Sequence, residues 1–161
     1  MTSGVGMTAA MAQTVEGSWK EHLRRMDAAL ADGNASAAVR AWRHAYAAAL
    51  GSPGWVGLVE VAAASLRIGA IPGFARASEA RARETYWTAL FRARQQGSLN
   101  GVLDAAEAFG AIGDRSMVEQ CIRIAESLAA LNADSSTSER VRDLAARLAQ
   151  RYLPARESEA V

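Results

Sequence analysis

The sequence predicts an all-α chain arranged as an α-solenoid of about three helical hairpins followed by a closing helix. Three observations support this fold class. Alanine is abundant while aromatic residues make up only 6% of the chain, a composition for helices packed through small side chains rather than for strands. Apolar residues recur at helical spacing in stretches whose interiors Pro53, Pro72 and Pro154 do not enter. Two segments, ADGNASAAVRAWRHAY (31–46) and AIGDRSMVEQCIRIAE (111–126), share one helical-hairpin pattern, and a third turn, LRIGAIPG around Gly69, lies between them. Repetition of a helix, turn, helix unit at about 34 to 44 residues is a solenoid signature.

The elements follow in order. Ser18 with Glu21 has the spacing of a capping box, opening a helix that runs to about Asp32 and stops at Gly33. Asn34 then caps a second helix to about Leu50, with Val39, Trp42, Ala45, Tyr46 and Ala49 along its buried face. A third runs from about Pro53 to Ile68 on a stripe of Leu58, Val61, Ala62, Ser65 and Leu66, and Gly69 ends it. The fourth, from about Phe74 to Gln96, is the longest and carries Ala80, Trp87, Leu90, Phe91 and Arg94, with an extension or kink expected near Ser78. The fifth and sixth, about Ser98 to Ile112 and about Arg115 to Leu131, form a hairpin in which Asp114 caps the later helix after Gly113. Ser136 with Glu139 forms a second capping box, opening a last helix to about Tyr152 on Val141, Leu144, Ala145 and Leu148. Its other face, with Arg140, Arg142, Asp143 and Arg147, is that of a terminal cap exposed to water.

The bulk numbers narrow the function. The chain of 161 residues is half hydrophobic, enough for one continuous core. Lys+Arg 18 against Asp+Glu 17 is too balanced for affinity resting on many phosphates, so no nucleic acid is expected as a partner. A lone Cys121 forms no internal disulfide, and the expected compartment is the cytoplasm. Residues 1–14 lack a basic n-region and read as a disordered leader, 15–153 as the helical repeat domain and 154–161 as a flexible tail. No run approaches the roughly 18 apolar residues of a membrane span.

In the unit from about Leu99 to Asn132, Val102, Ala105, Ala106 and Phe109 precede a Gly113–Asp114 turn, and Val118, Ile122 and Ala125 follow it. Ala38, Trp42 and Ala45 repeat part of the pattern around Gly33. This resembles the tetratricopeptide repeat. The first-helix half at His22, Arg25 and Met26 departs from that pattern, and AIPGFA displaces the second helix of the middle unit.

The resemblance implies a right-handed array that acts by holding another protein or peptide segment in a concave groove lined by first helices. By position the groove would comprise Leu23, Arg24 and Asp27, then Val59, Glu60, Ala63 and Arg67, then Leu103, Asp104 and Glu107. Leu23, Val59 and Leu103 stand where a carboxylate-gripping member would carry basic residues, so an amphipathic or extended apolar segment fits better, oriented by Asp27, Asp104 and Glu107. The implied role is a non-enzymatic adaptor or chaperone-like module; in size and repeat number the chain is also similar to the small chaperones of type III secretion systems. The alternative is a self-associating scaffold, a homo-oligomer stacking repeat on repeat.

A secondary basic surface is expected from Arg76, Arg81, Arg83, Arg92 and Arg94, with Glu79 and Glu84 within reach of Arg83 and Arg81 as pairing partners. Catalytic raw material is sparse. His22 and His44 have no further ligand at metal spacing, and Cys121 has no CxxC partner, so neither metal nor cofactor is expected. The glycines lack P-loop and dinucleotide spacing, and Trp19, Trp42, Trp55 and Trp87 read as core and inter-repeat wedges.

Overall fold

The computed structural model describes residues 6–132 and 134–153, with side chains from Trp19 onward. Within these residues the fold is all-α: α1 (Gly6–Ala31), α2 (Ala35–Gly51), α3 (Val56–Ile68), α4 (Ala75–Gln95), α5 (Leu99–Ala111), α6 (Arg115–Ala130) and α7 (Ser135–Tyr152). The chain divides into two compact units, Met1–Ala89 and Leu90–Val161, with the division inside α4. The first five residues of the expected leader and the expected tail lie outside the described residues.

Local chemistry sets most helix ends. The Asn34 side chain accepts from Ala37 N–H at 3.0 Å, Ser98 from Gly101 N–H at 3.1 Å and Asp114 from Met117 N–H at 3.3 Å, each satisfying an amide that a helix start leaves without a partner. Gly33 and Gly113 hold φ of 70° and 76° at the two hairpin turns, left-handed conformations that a Cβ would disfavour. Two capping boxes are misplaced. The α1 backbone starts at Gly6 and is helical through Ser18, so S-x-x-E there falls inside a helix of 26 residues, longer than the 21 of α4. At α7 the cap is Asp134, which accepts from the Ser136 amide and hydroxyl at 3.0 and 2.9 Å. These bonds hold its carboxyl below the usual range.

In the first unit, α1 and α2 pack as a hairpin and α3 touches both. Their core holds Trp19, Leu23, Met26, Ala38, Trp42, Ala45, Leu58, Val61 and Ile68, joined by Ala89. Trp42 donates its indole N–H to the Val61 carbonyl at 2.8 Å and stacks on Tyr46 at 5.4 Å. The close approach of α3 and α4 runs through small groups: the Ser65 hydroxyl meets the Ser78 carbonyl at 3.1 Å, and a Cβ on Gly69 would stand 3.2 Å from Ser78 Cβ. Helix α4 continues unbroken through Ser78, and its buried face is Ser78, Ala82, Thr85, Tyr86, Ala89, Leu90 and Ala93; of the residues placed along it from the sequence, Leu90 is on that face. Trp87 and Phe91 stand 45% and 59% exposed, so Trp87 is no core wedge; Trp55 is half-buried, while Trp19 and Trp42 are buried.

In the second unit, α5 and α6 form the corresponding hairpin and α7 touches both. Its buried residues are Val102, Ala105, Ala106 and Phe109 of α5, Met117, Val118, Cys121, Ala125 and Ala129 of α6, and Val141, Ala145 and Leu148 of α7. Phe109 is the largest fully buried side chain, and burying it fully contributes about 1.5–3 kcal/mol.

Candidate functional site

Of the seven residues assigned to a groove on α1 and α3, Asp27 and Arg67 bind each other, Glu60 binds Trp19, and Leu23 and Val59 belong to the packing of the core. Arg67 donates through Nε and Nη2 to the two Asp27 carboxylate oxygens at 2.9 and 3.0 Å, a two-pronged pair in which both side chains are half-exposed. Glu60 accepts the Trp19 indole N–H at 2.7 Å. Leu23 is buried, and Val59 packs against the core. Only Arg24 and Ala63 of this set are exposed without a described tie.

On α5 the three expected groove residues have different surroundings. Leu103 lies half-buried in a cleft of about 240 Å³ between α5 and α7, lined by Leu99, Asn100, Leu103, Thr137, Arg140, Val141 and Leu144. Leu144 is 37% exposed at its rim. Glu107 accepts the Tyr152 hydroxyl proton at 2.7 Å and has Arg151 Nη1 at 3.7 Å. The bond to Glu107 raises the Tyr152 hydroxyl above its ordinary value, and burial followed by the Glu107 charge raises the Asp104 carboxyl. Tyr152 also covers Gly110, where a Cβ would stand 2.5 Å from the ring. Sequence reasoning missed Thr137, Arg140 and Leu144 as cleft residues because α7 reads as a terminal cap, although Leu144 is visible at the edge of its apolar stripe.

The arginines of α4 have different surroundings. Arg83 pairs with Glu79 at 3.1 Å as expected. Arg81 instead lies 5.8 Å over the Trp42 ring, a cation–π placement. Arg92 is partly buried, while Arg76 and Arg94 are exposed.

His22 and His44 meet edge to face, ring centres 5.4 Å apart, and among the described residues no group of three or more His, Cys, Asp or Glu is placed to hold a metal ion. The Cys121 thiol is buried and pushed up to about 12, first by burial and then by Asp114, so it carries no thiolate at neutral pH. No described helix is long and apolar enough to cross a membrane. Comparisons with protein-family models, with curated proteins and with solved structures found no match to this chain.

Proposed function

We propose that this chain is a non-enzymatic interaction module, tetratricopeptide-like in design, that holds a segment of another protein. The observation that carries this reading is the cleft between α5 and α7, where Leu99, Leu103, Val141 and Leu144 offer an aliphatic floor and Asn100, Thr137 and Arg140 a polar margin. Such a site takes an aliphatic anchor from an amphipathic or extended segment. The reading is also supported by packing within each unit, where the third helix rests on both helices of the preceding hairpin, as a hairpin array requires. A scaffold of packed helices meets a partner without refolding, which lowers the ordering cost of association.

The test is capture from a lysate of the source cells by wild type and by Leu144→Arg, matched for helicity by circular dichroism. The expected result is a partner retained by wild type and lost by the variant, in a complex of fixed mass. Equal recovery by both proteins, or growth of the chain's own mass with concentration and no partner, contradicts the proposal.

A further inference from the structure

Helix α6 has more apolar surface than its own unit uses. Its buried face is Met117, Val118, Cys121, Ala125 and Ala129. A second stripe, Ile124, Leu128 and Leu131, follows the i, i+4, i+7 spacing of another face, and Leu131 just beyond the helix is 85% exposed. These three line a cleft of about 500 Å³ with Arg94, Gln120, Arg123 and Ser127. Phe91, 59% exposed, lies one helical turn before Arg94 on α4. The patch is separate from the cleft between α5 and α7 and shares no residue with it.

The charged side chains that line this cleft have one sign. No Asp or Glu lines the cleft, and among the described residues neither the Arg94 nor the Arg123 guanidinium is held by an ion pair or hydrogen bond. Of the nearby acids on α6, Glu126 lines the cleft between α6 and α7 with Arg142. Arginine presents a planar fork that fits a carboxylate in two-pronged fashion, and a partner supplying carboxylates would complete both forks. Two arginines are too few for affinity built on phosphate neutralisation, and the floor is aliphatic rather than a stack of aromatic rings for bases.

We propose that Ile124, Leu128 and Leu131 with Arg94 and Arg123 form a second docking surface, for a protein segment that pairs aliphatic or aromatic anchors with carboxylates. The anchors rest on the α6 stripe and the carboxylates on the two arginines. Partner choice is then set by charge as well as by shape, because a basic segment meets two uncompensated cations.

The test is selection of a random displayed peptide library on the immobilised full chain, followed by fluorescence anisotropy with the enriched peptides. The expected enrichment is Leu, Ile, Val or Phe within a few positions of Asp or Glu. Arg123→Glu and Leu131→Glu should each weaken such a peptide at least tenfold, Arg123→Gln less so, and added salt should weaken it too, while Leu144→Arg leaves it unchanged. All substituted positions are exposed, and circular dichroism checks that helicity is kept. The proposal is overturned by no enrichment, by basic or uncharged consensus sequences, or by affinities that the α6 variants do not alter. It is equally overturned if these variants abolish binding of a poly-uridine oligonucleotide or self-association in sedimentation, with no peptide selected.

Discussion

Gly57, in the first turn of α3, is a position where a single methyl group would press on a buried ring. A Cβ there would stand 3.1 Å from the Trp19 ring, and that ring is only 2% exposed and tied through its N–H to Glu60. Trp19 has little room to retreat, so Gly57→Ala should destabilise by about 1–3 kcal/mol through overpacking, read as a lower urea midpoint at unchanged m; a stabilised variant would contradict this contact. Cys121 tests burial through pH. Its folded value of about 12 lies above an unfolded value of about 8.5, so between them the unfolded chain binds fewer protons than the folded one. The contribution of this thiol is therefore complete below about 8.5 and is lost progressively as pH rises towards about 12. Urea midpoints should fall between pH 7 and pH 9.5 in wild type, and less so in Cys121→Ala. At pH 8 a thiol reagent should label the native protein only as fast as it opens.

At the scale of the helix, caps should matter more than exposed ion pairs. Asp114→Ala removes the acceptor for Met117 N–H and should cost about 1 kcal/mol, whereas Asp27→Asn, in a half-exposed pair with Arg67, should cost less than about 1 kcal/mol. Thermal unfolding of the two variants decides the order. Asn34, Asp114 and the turn glycines were legible in the sequence because cap chemistry is local, acting within three residues. The same local rule failed at Ser18, where α1 was already helical, and at Ser136, where Asp134 begins the motif two residues earlier. The buried face of α4 was not legible because it is mostly small residues, which leave no apolar stripe in the sequence. What joins α1 to α3 had no sequence signal: Trp19 and Glu60 are 41 residues apart.

At the scale of the whole chain, all-α character was legible in composition and periodicity, and seven helices within the described residues bear it out. The candidate site was only partly legible. Leu103 was found because α5 follows a regular hairpin pattern, but the α7 residues that complete its cleft come more than 30 positions later. Asp27, Glu60, Arg67 and Glu107 were assigned to a partner yet hold partners of their own in the fold. The proposed function therefore rests on the cleft between α5 and α7, and the most direct measurement places a benzoylphenylalanine photocrosslinker at position 144, with position 150 on the same helix as control. The account predicts one discrete adduct with another protein from position 144 and none from position 150. No adduct, the same adducts from both positions, or adducts only with a second copy of this chain would contradict it.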